Sequence, residues 1–458
     1  MLYDRRPVRT FVQRRSPWIE QLGPDGPPEP LQENAQTDVA VVGAGIAGVS
    51  TAFFLLRETD LDVMLIERDR VGRGATGHNA GQLTTYFERP LGDLVDSYGF
   101  GPAIAAQKAI DDTWTLLDLM VAETGATLAI EVFFGHMGMF TLDHLTVHLR
   151  SSALRRDGGL IVPECVVADD APCLAQIPHE FDGLYSVVSP EKIRDMLGTS
   201  LGRYCAVLRD RKGCANGALL CQQVVQHLRS TYPERFRFVD HTPVDHIVLE
   251  DSTAVIRCRE HEVVASRVVM CTNGFVDHVI ENAVGSEIKA EMHHRVNGTV
   301  GYMVGFIEPH VTEARALSFI RNEVIGGDTP YVYVTSRPYD GGTLVCVGGP
   351  EDQVDDVAKY SSDWRFPEQL TDEIDNEILP IVHPDRSPGL DYEFMWHGLM
   401  GYTKSRVRLI GFEPANPVLM YNLGCNGVGF LPSIFGGFRV ANLLSAADTE
   451  PMIFDPQD

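Results

Sequence analysis

Asp38-Val39-Ala40-Val41-Val42-Gly43-Ala44-Gly45-Ile46-Ala47-Gly48-Val49, followed by Leu65-Ile66-Glu67-Arg68, is the stretch whose reading decides the fold. An apolar run, three glycines at G-x-G-x-x-G spacing, and a second apolar run closed by an acid about 20 residues on spell strand, tight turn, helix and strand. In that βαβ unit Gly43 permits the turn, Gly45 lets backbone N–H groups approach a pyrophosphate, and Gly48 lets the helix pack closely on the strand. The helix N-terminus adds unpaired donors and the positive end of its dipole, so the unit reads as a dinucleotide site with Glu67 on the adenosine ribose. A lone glycine motif occurs by chance; its place between an alternating strand and an apolar helix makes this one specific. Val39 to Leu56 carries no charge, but three glycines and the change from strand to helix period argue against a membrane span.

At 458 residues the chain is long enough for two domains or one large composite. Its formal net charge of −25, from 63 acidic against 38 basic residues, repels phosphate backbones and anionic lipid heads, so nucleic acid and membranes are not expected partners. Nine cysteines without a C-x-x-C pair fit a reducing compartment and mostly buried thiols. No apolar run follows Arg5-Arg6 or Arg14-Arg15, so neither a secretory nor a twin-arginine signal is expected, and cytoplasmic residence is the default. Residues 1–36, rich in proline and charge, form an arm that is either disordered or laid along the body through Trp18 and Ile19.

Ile110, Trp114, Leu117 and Val121 recur at helical spacing, Leu142 to Arg156 reads as an amphipathic helix, and Ser189-Pro190-Glu191 opens another with an N-cap and a proline at its first position. A further helix follows Gly217. Short β-like runs at 236–239, 245–249 and 253–258 precede Arg267 to Gly274, and a second sheet is expected between 290 and 350. Val418 to Gly429 is again strand then glycine loop, with a helix from Ile434 to Leu444. Glycine loops of cofactor type therefore stand at both ends of the chain with a different sheet between them. That layout implies an α/β fold: a Rossmann-type cofactor domain from discontinuous segments (37–95, 200–285 and 393–450) and a mixed-sheet substrate domain (96–199 and 286–392).

Three motifs together resemble the D-amino-acid oxidase family of FAD-dependent oxidoreductases, in the branch of sarcosine, dimethylglycine and glutamylputrescine oxidising enzymes. The first is the βαβ unit with Glu67-Arg68. The second is Gly74-Ala75-Thr76-Gly77-His78-Asn79-Ala80-Gly81-Gln82, similar to the small-residue segment that runs beneath the flavin. The third is Trp396-His397-Gly398-Leu399-Met400-Gly401-Tyr402-Thr403 with Gly424-Cys425-Asn426-Gly427-Val428-Gly429 and Phe430, similar to the elements that cap the isoalloxazine. Thr242-Pro243-Val244 resembles a strand whose backbone meets the adenosine, and Thr272-Asn273-Gly274 the end of the strand beside it. A flavin enclosed along its length needs backbone donors from several segments, which these glycine turns supply, whereas a nicotinamide needs one open unit.

The resemblance implies FAD, oxidation of an amine or amino acid by hydride transfer to flavin N5, and oxygen or another electron acceptor to reoxidise the flavin. His78 stands where dimethylglycine dehydrogenases carry a histidine joined to the flavin 8α-methyl group, so either that bond or simple packing is expected; Met400 stands where sarcosine oxidases attach through cysteine. On the second sheet, Tyr331, Tyr333 and Arg337, with Arg295 and Tyr302, lie where the family binds substrate, an arginine fork pairing a carboxylate. Tyr333 and Arg337 join His78 as candidate catalytic residues. The alternative is that Tyr331 and Tyr333 lie on an ordinary strand and Arg337 in the turn after it. His144 and His148 lack the acid of H-E-x-x-H and are not read as metal ligands; His293, His294 and Lys289 are weaker flavin-side candidates. Two other functions stay open, a flavin dehydrogenase of a hydroxy acid and a non-catalytic dinucleotide-binding protein, and nothing in the sequence specifies an oligomeric state.

Overall fold

The structure is a computed structural model, and it describes residues 16–288, 296–321, 331–354, 356–362, 364–382, 392–445 and 450–457. Arg5, Arg6, Arg14, Arg15, Lys289, His293, His294 and Arg295 lie outside the described residues.

The decisive stretch forms the strand Ala35–Val42, a turn, the helix Ile46–Glu58 and the strand Val63–Ile66. Alternation sends Val39 and Val41 into one hydrophobic core with that helix, and Ala40 and Val42 into a second core on the opposite face. Gly43 has φ of +103°, and a Cβ there would stand 2.8 Å from the Cys271 carbonyl oxygen. At Gly48 a Cβ would fall 1.8 Å from the Gly43 carbonyl oxygen, so only glycine lets the helix seat on its own turn.

Around this unit five strands run parallel, Phe236–Val239 beside Val63–Ile66, then Ala35–Val42, His261–Met270 and Leu419–Leu423. The strands Val279–Asn282, His246–Leu249, Ala254–Cys258 and Leu409–Phe412 complete a nine-stranded mixed sheet. The helices Ile46–Glu58, Gly217–Thr231 and Phe430–Leu444 share the larger core on one face of it. A ten-stranded sheet runs in the order Phe394–Thr403, Val296–Glu308, Gly342–Val354, Tyr331–Tyr339, Arg315–Ile320, Ile130–Met139, Ala206–Ala215, Glu164–Ala168 and Ser186–Val188, with Gln82–Leu83 pairing Ala206–Ala215.

Sheet membership departs from the segment boundaries drawn on sequence. Phe394–Thr403 and Ala206–Ala215, expected in the cofactor domain, belong to the ten-stranded sheet, because each finds long antiparallel partners there, Val296–Glu308 and Ile130–Met139. The stripe of Ile110, Trp114, Leu117 and Val121 is split between two helices, Phe100–Asp111 and Thr113–Thr124. The N-cap read at Ser189 is present, its side chain accepting from the Lys192 N–H. All nine cysteines are free thiols, seven of them buried. Among the described residues no helix is long and apolar enough to cross a membrane.

The N-terminal arm lies along the body at Trp18, which is fully buried and donates its indole N–H to the Asn79 carbonyl at 2.7 Å. Gly81 accommodates the indole: a Cβ there would be 2.4 Å from the ring.

Gly48→Ala should destabilise the protein by about 1–3 kcal/mol through overpacking against backbone that has no rotamer to change. Chemical denaturation followed by circular dichroism checks this; an unchanged midpoint would contradict the close approach.

Candidate active site

A long cavity runs from the nine-stranded sheet to one face of the ten-stranded sheet, and the glycine turns meet along it. Short hydrogen bonds hold these distant segments together. The Ala44 N–H donates to Glu67 Oε2 at 2.7 Å, and the Ile46 N–H, at the first turn of its helix, donates to Thr76 Oγ1 at 3.0 Å. The Cys425 N–H donates to Asn273 Oδ1 at 3.0 Å, and Asn426 Oδ1 accepts from the Thr403 N–H at 2.7 Å. Asn273 and Asn426 both sit at positive φ, 52° and 48°, which asparagine tolerates better than most residues.

At one end the cavity is walled by Glu67, Arg68, Thr242 and Val244. Both Glu67 oxygens accept backbone N–H groups, from Ala44 and from Asp69, and burial pushes its carboxyl above the usual range. Arg68 lies 3.9 Å over the Phe275 ring. Thr242 to Val244 is a loop between the strands Phe236–Val239 and His246–Leu249, not the strand expected, since Pro243 has no N–H to give a ladder.

In the middle, His78 lines the wall beside Gly398, where a Cβ would come within 2.6 Å of the His78 carbonyl oxygen. His78 Nδ1 is 3.0 Å from the Gly74 carbonyl oxygen. A carbonyl only accepts, so Nδ1 carries the hydrogen and Nε2 the lone pair. Burial lowers the imidazole's pKa, with Gly74 opposing and His397 adding to the shift, so the ring is neutral at physiological pH.

The family follows from this chain-long arrangement. A family model described as FAD dependent oxidoreductase (DAO) matches residues 38–443. The chain belongs to the DAO family of FAD-dependent oxidoreductases. Its relatives include gamma-glutamylputrescine oxidoreductase of Escherichia coli, 40% identical over 77 residues, which are 17% of this chain and 18% of that protein. Mitochondrial dimethylglycine dehydrogenase of Rattus norvegicus is 32% identical over 103 residues, 22% of this chain and 10% of that protein. The matched stretches thus span less than a fifth of either relative. Among solved structures, glycine oxidase from Geobacillus kaustophilus superposes with a TM-score of 0.64 at 16% identity, covering 92% of this chain and 98% of that one, which shows a shared fold.

The cavity of this DAO-family chain fits FAD on its own chemistry. Thr84 Oγ1 and Thr272 Oγ1 are buried without a hydrogen-bond partner among the described residues, and both line the wall. Such a hydroxyl costs about 1–3 kcal/mol, and phosphates, ribose hydroxyls and ring carbonyls are acceptors that would relieve it. Arg408, also in the wall, bonds neutral oxygens alone among the described residues: Asn422 Oδ1 at 2.6 Å, the Asn422 carbonyl at 2.9 Å and the Gly424 carbonyl at 3.3 Å. Burial lowers its pKa to about 10, which leaves it a cation that a phosphate or anionic ring would complement.

Most of the cofactor residues read from sequence line this cavity, including Gly43, Gly45, Gly74, Asn79, Gln82 and the loop Gly427-Val428-Gly429 with Phe430. Ala44, Gly48, Gly81, Gly274, Gly424 and Asn426 stand behind the wall as turn and packing positions. Trp396 is also away from it, buried beside Trp18 and Phe394. Arg337 is neither in the cavity nor in a turn. It lies within Tyr331–Tyr339, 8% exposed, its guanidinium 5.5 Å over the Trp18 ring. Tyr302 points to the opposite side of its strand, against Phe366 and His397. Tyr331 and Tyr333 do line the cavity.

The sequence reading missed Arg408, Tyr86, Glu88 and Glu351, and held Tyr402 only within the Trp396–Thr403 motif; all of them line the wall. For two of them a signal existed: Thr84, Tyr86 and Glu88 continue from Gln82, the last residue of the small-residue segment, at intervals of two, and all four line the cavity.

Thr272→Val should leave the apoprotein as stable as before or slightly more so, and weaken FAD binding by about tenfold, the loss of one hydrogen bond to a charged or polar acceptor. Fluorescence titration of apoprotein with FAD, beside a melting curve, reads both. Unchanged affinity would remove Thr272 from the cofactor's contacts.

Proposed function

We propose that this protein oxidises a C–N bond of an amine or amino acid to an imine, which water then hydrolyses. FAD, when bound, supplies the two-electron acceptor for the substrate hydride. We assign the nine-stranded sheet to holding the cofactor and the exposed-cavity face of the ten-stranded sheet to holding the substrate.

The observation that carries this reading is the makeup of the sheet-side wall. Tyr86, Tyr331, Tyr333, Tyr402, Met303 and Met400 stand there with Glu88 and Glu351; the basic residues that line the same cavity are Arg68, Arg73, His78, His278 and Arg408, and no lysine among the described residues does so. Burial pushes all four phenols above their ordinary range, so they act as neutral donors and ring faces. Oxidation of a hydroxyl carbon by hydride loss needs a base for the O–H proton and, for a hydroxy acid, a cation for the carboxylate. A neutral amine needs neither, because its own lone pair stabilises the developing cation. The two relatives' names, which speak of glutamylputrescine and dimethylglycine, point the same way.

The second reading, hydroxy-acid oxidation, is favoured by neutral His78, whose Nε2 can accept a proton, and by the arginines of the same cavity. Anaerobic mixing with amine and hydroxy-acid panels separates the two by which series bleaches the flavin. For an amine, the reductive rate should rise with pH through the bound substrate's amine pKa, because the protonated form has no lone pair to give. A pH-independent rate would overturn the amine reading.

His78 is either joined to the flavin 8α-methyl carbon through Nε2 or packed against the ring. Acid precipitation decides: in the covalent case the yellow colour stays in the pellet, and His78→Ala releases it to the supernatant.

A further inference from the structure

We propose that Arg408 is the cation that meets the diphosphate of FAD, and that it makes this cavity select a flavin dinucleotide over a flavin without phosphates. This rests on FAD as the cofactor and is independent of the substrate's class.

Three arginines line the cavity, and two of them already have an acid. Arg68 Nη1 is 3.6 Å from Asp277 Oδ2, and Arg73 is paired with Asp25. Arg408 has no carboxylate partner among the described residues. The titratable groups that act on its charge there are the Cys425 and Cys271 thiols, and burial holds both in the neutral form. Nor is it solvated, being 6% exposed. Its Nε, Nη1 and Nη2 each donate to one neutral oxygen. A guanidinium has five hydrogens to give, so one on each terminal nitrogen is left for a ligand.

Asn422 fixes where those donors are. Its Oδ1 accepts from Arg408 Nε, while its Nδ2 donates to the Ala47 carbonyl at 3.3 Å and the Ser433 carbonyl at 3.0 Å. Ala47 is the second residue of the helix Ile46–Glu58 and Ser433 the fourth of Phe430–Leu444. Gly436 leaves the amide no room to turn away, since a Cβ there would overlap Asn422 Oδ1. One asparagine thus ties the guanidinium to the N-termini of both long helices. Neither helix has a side-chain cap at Gly45 or Gly429, so first-turn N–H groups and positive dipole ends flank the same cation. Gly45, Ala47, Gly429 and Ser433 all line the cavity with Arg408. Cys271, whose thiol is near enough to act on Arg408, is also the residue whose carbonyl crowds Gly43, which puts the cation on the side of the dinucleotide turn.

The permanent negative charge of FAD is on its diphosphate, while its oxidised ring system is neutral. The diphosphate is therefore the part of the cofactor that offsets the cost of burying an unpaired cation, and a planar fork suits its oxygens.

The test titrates apoprotein with FAD and riboflavin by flavin fluorescence, and with ADP by its competition against FAD, in a His78→Ala background should acid precipitation show the flavin joined to the chain. Arg408→Met should weaken FAD and ADP alike by about thirtyfold or more and riboflavin by less than about twofold, the loss of a charge-assisted pair that riboflavin never makes. Arg408→Lys, which keeps the charge without the fork, should bind FAD within about tenfold of the unchanged protein. Circular dichroism checks that each apoprotein is folded; where the Met variant is not, the Lys variant carries the test, its smaller loss falling on FAD and ADP and sparing riboflavin. An anionic flavin ring as the true partner would weaken riboflavin as much as FAD, leave ADP unchanged and lower the reduction potential of the bound flavin, and that pattern overturns the proposal. So does an equal loss of all three ligands in both variants, which displacement of the glycine loop at 424–429 would cause. Apoprotein that takes up none of the three before any substitution overturns the cofactor reading together with this inference.

Discussion

Two backbone contacts too close for any side chain set the rest of the molecule. At Gly48 the helix Ile46–Glu58 rests on the carbonyl of its own turn, and at Gly437 the helix Phe430–Leu444 rests on it in turn, where a Cβ would lie 2.6 Å from the Thr51 N–H nitrogen. The two helices are also joined by polar groups. Ser50 Oγ donates to the Ser433 carbonyl at 3.1 Å, and Asn422 Nδ2 reaches the Ala47 and Ser433 carbonyls at 3.3 and 3.0 Å. This contact carries the glycine loop at 424–429, nearly 400 residues later, to the first turn of the first helix. An enclosed cofactor needs donors from distant parts of the chain, and small residues at a helix crossing are what deliver them.

Backbone requirements were therefore the legible part of the sequence. A glycine required by a turn or a close approach leaves a spacing that can be read without a structure, and helix caps such as Ser189 do the same. The cofactor end of the site is made of these. The end proposed for the substrate is made of side chains on strands, for which period two gives the face and nothing gives the depth. Tyr331, Tyr333 and Arg337 do share a face, as their spacing says. Only the packed structure shows that the cavity ends after the tyrosines and that Trp18, from some 300 residues earlier, covers the arginine. Sheet membership failed for a similar reason: Phe394–Thr403 touches the cofactor cavity through Gly398 and Met400, yet its hydrogen bonds go to the other sheet.

Arg408 shows a third kind of illegibility. In Val407-Arg408-Leu409-Ile410 it reads as a surface interruption of an apolar strand, but it is 6% exposed and, among the described residues, held by carbonyl oxygens alone. Breaking up a buried cation's water shell is expensive unless something negative meets it. The residues nearest to it in sequence offer no acid; the sense of the residue lies in a cavity that its neighbours do not reveal.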